Sequence, residues 1–261
     1  MNDWQGYYTA CAAAYVRGEA IRARENGGRI TTPDGKSTGR RLDMPPELSD
    51  LPLEALKAEQ IEAILARGRD AGLNLYCFKK SLGELPRVKY VLDYLRTLAF
   101  DSILDVGSGR GKFLWPCLDA FPHAKVRSVD LSRKCVCDFD AVRLGGVSNL
   151  FGTQEDFCQL NEPDGSYDVV TLIEVLEHIL PVAAAVNKAV RLAKKCVIVS
   201  ALTRPDDDPE HVHLLTKEVL TRLFHEAGCT RLRFEEVNGH LLLIACKEAE
   251  PEGTTGLPGY R

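Results

Sequence analysis

Ile103-Leu104-Asp105-Val106-Gly107-Ser108-Gly109-Arg110-Gly111 is the stretch on which the reading of this chain turns. Residues 103–106 have the apolar, branched character of a short strand. Glycine then stands at every second position, and residues 112–121 have helical character. A strand that runs through glycines into a helix lets the backbone approach a ligand closely. Glycine tolerates positive φ, and the helix N-terminus offers free N–H donors. A dinucleotide fingerprint would need glycine at position 112, which is Lys112. The spacing therefore favours a cofactor built on a single nucleoside, with no pyrophosphate to cradle.

Downstream, short apolar runs alternate with helical stretches. Residues 125–129, 167–172 and 196–200 read as strands, with an apolar run at 147–151, and residues 133–144 and 182–193 read as helices. That alternation predicts an α/β fold, doubly wound, with a mostly parallel seven-stranded sheet. Residues 231–237 and 240–246 flank Asn238-Gly239, a strong hairpin signal that predicts an antiparallel C-terminal pair. Upstream, residues 7–25 read as a helix and a second helix is expected from about Pro52, capped by Ser49 or Asp50, with Leu53, Leu56, Ile61, Ile64 and Leu65 on its apolar face. A third is expected at residues 86–98. The domain expectation is an N-terminal helical extension or lid (1–99), a cofactor-binding domain (100–248) and a disordered tail (249–261). Between Arg17 and Arg41 basic residues outnumber acids, which reads as a solvated arm or as a lid offering cations to an anionic substrate.

Composition narrows the class. Hydrophobic residues make up 45% and charged residues 27%, ordinary values for a globular protein, and the net charge of −4 gives no bulk attraction to polyanions. No apolar run is long enough to cross a bilayer, and the first residues lack the pattern of a secretion signal, so a cytoplasmic protein is expected. The nine cysteines follow no paired framework, and Cys135-x-Cys137 reads as structural.

Two acids and a downstream cluster carry the remaining chemistry. Asp130 ends the second strand, where a carboxylate can accept both ribose hydroxyls. Asp156 falls where an adenine amino group could be bound, beside Phe157 for stacking. After the strand at 167–172 comes Glu174-Val175-Leu176-Glu177-His178; in a helix, Glu174, Glu177 and His178 would share one face at the carboxyl edge of the sheet. Such a donor set suits Mg²⁺, Mn²⁺ or Zn²⁺, with a fourth ligand from His211 in Glu210-His211-Val212-His213. Alternatively, Glu177 and His178 cap the loop without a metal, and His213 acts as a base or a substrate contact.

Leu104-Asp105-Val106-Gly107-Ser108-Gly109-Arg110-Gly111, Val129-Asp130-Leu131-Ser132, Glu155-Asp156-Phe157 and Tyr167-Asp168-Val169-Val170 stand in the order seen in class I S-adenosylmethionine-dependent methyltransferases. From about residue 100 to 247 the chain resembles that family. The resemblance implies S-adenosylmethionine as cofactor, with Asp105, Gly107, Ser108, Gly109, Gly111, Asp130, Leu131, Asp156, Phe157 and Glu174 at its site. The segment Glu174–His178 is similar to that of the O-methyltransferases of ubiquinone biosynthesis. It is also similar to that of small-RNA 3′-terminal 2′-O-methyltransferases, in which two Glu and two His hold a metal. That second likeness implies Glu174, Glu177, His178 and His211 as metal ligands, but Val212-His213-Leu214-Leu215 replaces the aromatic part of the RNA enzymes' motif. The function expected is methyl transfer to an oxygen or nitrogen of a small-molecule acceptor, with His178, His211 and His213 as candidate catalytic residues. The alternatives are RNA-end methylation and a non-catalytic cofactor-binding scaffold.

Overall fold

In the computed structural model, residues 6–83, 85–203 and 214–247 are described. The expected tail at 249–261 lies outside them. In chain order the elements are α1 (Thr9–Glu25), β1 (Arg29–Thr31), β2 (Ser37–Arg41), α2 (Pro46–Ser49), α3 (Ala58–Asp70), α4 (Lys80–Gly83), α5 (Pro86–Leu95) and β3 (Ser102–Val106). There follow α6 (Leu114–Ala120), β4 (Lys125–Asp130), α7 (Arg133–Leu144), β5 (Leu150–Gln154), β6 (Tyr167–Ile173), α8 (Val182–Leu192), β7 (Ala193–Leu202), α9 (Lys217–Glu226), β8 (Arg231–Val237) and β9 (His240–Cys246).

The main sheet has seven strands in the order β5-β4-β3-β6-β7-β9-β8. β3 pairs in parallel with β4 and β6, and β6 with β7; β9 runs antiparallel to both β7 and β8. This is the mostly parallel α/β sheet with an antiparallel C-terminal pair that the alternating pattern predicts. By internal contacts the chain divides into two compact units: residues 1–83, 109–123 and 132–154 form one, residues 84–108, 124–131 and 155–261 the other.

In the first unit α1 lies directly against α7. Their backbones approach so closely that a Cβ on Gly18 would fall 1.9 Å from the Ala141 carbonyl oxygen, and one on Gly145 would fall 1.7 Å from that of Ala14. A ladder of rings backs this contact, Tyr15–Phe78 at 5.3 Å, Phe78–Trp115 at 4.8 Å and Trp115–Phe139 at 5.7 Å between centroids.

This packing corrects the reading of a solvated basic arm at Arg17 and Arg22, while Arg24, Arg29, Lys36, Arg40 and Arg41 are exposed. Arg17 is buried and donates to the Ser49 carbonyl, Arg22 to the Cys137 carbonyl, Arg24 to that of Met44 and Arg40 to that of Gly72. Three of these guanidiniums tie parts of the N-terminal segment together, and Arg22 fastens α1 to α7. A second correction concerns the helix expected from Pro52. Residues 53–55 make one 3₁₀ turn, Leu56 turns extended (ψ 130°), and α3 starts only at Ala58, where the Gln60 side chain accepts the Lys57 N–H at 2.9 Å.

The second unit has its core between the inner strands and α8 and α9, with Leu104, Val170, Leu172, Val197, Val199, Leu220 and Phe224 buried together. At the amino edge the Asp168 carboxylate accepts the Asp101 N–H at 2.8 Å and the Ser102 N–H at 3.1 Å, which fastens the start of β3 to β6. Among the described residues no helix is long and apolar enough to cross a membrane.

Candidate functional site

Val106 lies opposite Val129 in the parallel ladder, so β3 and β4 end side by side. Gly107 continues the ladder by donating its N–H to the Val129 carbonyl at 2.8 Å. Its φ is +64°, and a Cβ there would stand 2.8 Å from Val175 Cγ2, so both conformation and space demand glycine. Gly109 and Gly111 repeat the positive φ, at +53° and +79°.

Asp105 is 1% exposed and turns inward. Its carboxylate accepts from the Ser108 hydroxyl and, at 2.7 Å, from Thr171 Oγ1; Ser108 Oγ also lies 2.6 Å from Ser128 Oγ. Burial pushes the Asp105 carboxyl up to about 6, against the two hydroxyl hydrogen bonds, which lower it. Asp105 therefore braces the glycine turn from beneath.

Asp130 stands half-buried at the end of β4, and its carbonyl accepts the Glu155 N–H at 3.2 Å. Leu131 beside it is 71% exposed, an uncovered apolar side chain at the strand's carboxyl rim. Asp156 is exposed and uses Oδ1 to cap the short 3₁₀ turn Phe157–Gln159, accepting from the Cys158 N–H at 2.8 Å. Phe157 is 4% exposed and belongs to the hydrophobic core, where its ring is committed to packing.

The segment after β6 differs from the helix expected of it. β6 runs to Ile173, Glu174 takes φ +59°, and only Leu176–His178 form a 3₁₀ turn. Glu174, Glu177 and His178 consequently do not line one helical face: Glu177 is buried and His178 is exposed. A non-glycine residue in this left-handed region costs about 1–3 kcal/mol and persists only where its surroundings hold it there. At Glu174 they do. Its N–H donates to the Ser200 carbonyl at 3.0 Å, and its Oε1 accepts Ser200 Oγ at 2.6 Å. Oε2 lies 3.1 Å from His240 Nε2, while Arg87 Nε stands 3.7 Å from Oε1, within ion-pair range but outside hydrogen-bond reach.

Arg87, Ser200, Thr171 and His240 are missing from the residues singled out in the sequence. Only His240 carried a local signal, standing directly after the Asn238-Gly239 turn. Among the described residues no group of three His, Cys, Asp or Glu side chains could hold a metal ion, and the proposed ligand His211, like His213, lies outside them. With the Glu174 carboxylate bonded to a hydroxyl and facing an imidazole and a guanidinium, the described side chains do not fit a metal.

In the first unit, a cavity of about 910 Å³ is lined by Tyr15, Glu19, Cys77, Gly109, Lys134 and Asp138 among others. Burial pushes the carboxyls of Glu19 and Asp138 up and the Cys77 thiol up to about 12. Each acid keeps a cation beside it: Arg22 donates to Glu19 at 2.9 Å and Lys134 to Asp138 at 2.7 Å.

Comparison with known proteins places this arrangement. Residues 60–233 match the family model described as a methyltransferase domain. A ubiquinone biosynthesis O-methyltransferase from Ralstonia nicotianae is 33% identical over 108 residues, 40% of this chain. That match spans 44% of the length of the curated relative. Among solved structures, a SAM-dependent methyltransferase from Aquifex aeolicus superposes with a TM-score of 0.53 at 20% identity, covering 64% of this chain and 92% of that one. Magnesium protoporphyrin IX methyltransferase from Synechocystis PCC 6803, solved with bound SAH, gives a TM-score of 0.51 at 19% identity over 64% of this chain and 84% of that one. Two thirds of the sequence matches the family model: the chain belongs to the methyltransferase-domain family and has the fold of the class I S-adenosylmethionine-dependent methyltransferases.

Proposed function

We propose that this protein transfers a methyl group from S-adenosylmethionine to an oxygen of a small-molecule acceptor. One observation carries the reading: the ladder that pairs Val106 with Val129 brings Gly107 and Asp130, the next residue after each, to the ends of neighbouring parallel strands. The residues there suit a sulfonium nucleoside. Glycine at 107, 109 and 111 lets a ligand come close to the backbone, Asp130 accepts the ribose hydroxyls, exposed Leu131 gives the adenine an apolar surface, and Asp156 receives its amino group. Residues 100–248 form the cofactor-binding domain in this reading.

When bound, the sulfonium supplies a methyl group open to direct displacement by the acceptor. The chain's own task is alignment and proton removal. Exposed His178, in the turn after β6, takes the proton that the acceptor oxygen releases; His211 and His213 are the other candidates for that proton. An oxygen acceptor must lose its proton when it is methylated, and an exposed imidazole suits that task. The 33% identity to an O-methyltransferase supports the same choice. The nine free thiols suit a reducing compartment, and we place the protein in the cytoplasm.

The test is incubation of the full chain with S-adenosylmethionine labelled in the methyl group and a small-molecule cell extract, followed by identification of the labelled products. An O-methylated product is expected, and its rate of formation should fall about 100-fold or more in His178→Ala, in line with the usual contribution of a general base. Label found only on nitrogen, or none above a heat-killed control, contradicts the reading.

A further inference from the structure

We infer that His240, the first residue of β9, is a positioning residue of the acceptor side: with Ser200 and Arg87 it holds Glu174 in its left-handed conformation and so fixes the turn that presents His178. The inference deepens the methyltransferase reading and rests on it for its functional consequence.

Glu174 needs such a clamp. Its φ of +59° is followed by Val175 at φ −135°, ψ −42°, so no repeating local hydrogen-bond pattern sustains the bend. Among the described residues its side-chain partners come from distant chain: Ser200 on β7, Arg87 on α5, and His240. His240 is gripped at both ends. Nε2 lies 3.1 Å from Glu174 Oε2 and Nδ1 lies 3.1 Å from the Asn238 carbonyl oxygen. Both ring nitrogens face an oxygen, so the ring is oriented from two sides by its own turn and by Glu174. The hairpin tip that carries this ring is anchored in turn. The Thr203 N–H donates to the Gly239 carbonyl at 3.1 Å, and Thr203 Oγ1 does so at 2.8 Å.

The bend matters beyond Glu174 itself. Val175, the next residue, fills the space above Gly107, and Leu176–His178 follow as one short turn. A Glu174 released from His240 shifts both the wall of the glycine turn and the exposed imidazole at 178. A C-terminal hairpin thereby governs the geometry of a site built on the parallel strands.

Hydrogen exchange followed by mass spectrometry on the full chain tests this without an identified acceptor. In His240→Leu, amides of residues 174–178 should exchange about tenfold faster, while peptides of β3 and β6 keep their protection. His240→Gln retains an N–H donor and should stay near wild type. Ser200→Ala, a milder change, should raise exchange in the same peptide. Methyl transfer should fall in His240→Leu and be retained in His240→Gln. Unaltered exchange at 174–178 in both His240→Leu and Ser200→Ala overturns the inference, as does a His240→Gln variant as loosened as His240→Leu. Failure of the wild-type chain to bind the cofactor would instead overturn the methyltransferase reading and leave the exchange result to stand by itself.

Discussion

Asp105 and Asp168 lie on the neighbouring parallel strands β3 and β6, one near the carboxyl edge of the sheet and one near the amino edge. Burial acts on both carboxyls in the same direction, upward, yet the outcomes differ. At Asp105 burial wins and the carboxyl titrates at about 6. At Asp168 the hydrogen bonds from Asp101 and Ser102 outweigh it, and the group falls below the ordinary carboxylate range. The consequences for stability have opposite signs. A raised carboxyl binds its proton more tightly in the folded state, so Asp105 contributes most below pH ~4 and that contribution is lost as pH rises through about 6. The lowered Asp168 contributes above pH ~4, and its contribution is lost as the medium becomes more acid. Asp105→Asn removes the first titration alone. Relative to wild type, its unfolding free energy from urea melts should therefore climb between pH 4 and pH 8, by an amount on the order of 3 kcal/mol at most, given ~1.4 kcal/mol per pH unit. A difference between the two proteins that stays constant across that range would show that Asp105 is not held protonated by its burial.

At the scale of elements, the contact of α1 with α7 is where backbone meets backbone. Gly145 follows the last residue of α7 with φ −80°, a conformation that alanine adopts freely. A methyl group there would nonetheless stand 1.7 Å from the Ala14 carbonyl oxygen of α1. The effect of Gly145→Ala is thus steric and not conformational, and the two helices must part to admit it. Overpacking of this kind costs about 3 kcal/mol or more when the obstacle is backbone. A urea midpoint lowered to that extent is expected; a variant as stable as wild type would mean that α1 does not sit against α7 as described. The C-terminal hairpin shows how far local signals reach. Asn238-Gly239 marks β8 and β9 to the residue, because turn chemistry sets register by itself. The fact that this turn carries His240 to Glu174 depends on β9 inserting beside β7, with Leu202 opposite His240, and no local pattern encodes that pairing.

For the molecule as a whole, what was legible in the sequence is what short-range periodicity and glycine placement control. The strand ending in Asp105-Val106, the turn with its three glycines, the helix beginning at Arg133 and the alternation that makes the sheet mostly parallel all follow from neighbours in the chain. Three features escaped it. The 174–178 segment has helical spacing, but the Ser200 and His240 partners of Glu174 stand far along the chain and override it. Arg17 and Arg22 look solvated in the sequence until the carbonyls of Ser49 and Cys137 are seen to take them up. Phe157 follows an acid suited to adenine, but its ring belongs to the core. The central claim concerns Asp130 and the cofactor's ribose, and calorimetric titration of S-adenosylmethionine into the wild-type chain and into Asp130→Ala tests it most directly. One molecule should bind per chain, and loss of a charge-assisted bidentate contact should weaken it about 10- to 100-fold. No binding by the wild type, or equal dissociation constants for the two proteins, would contradict the account.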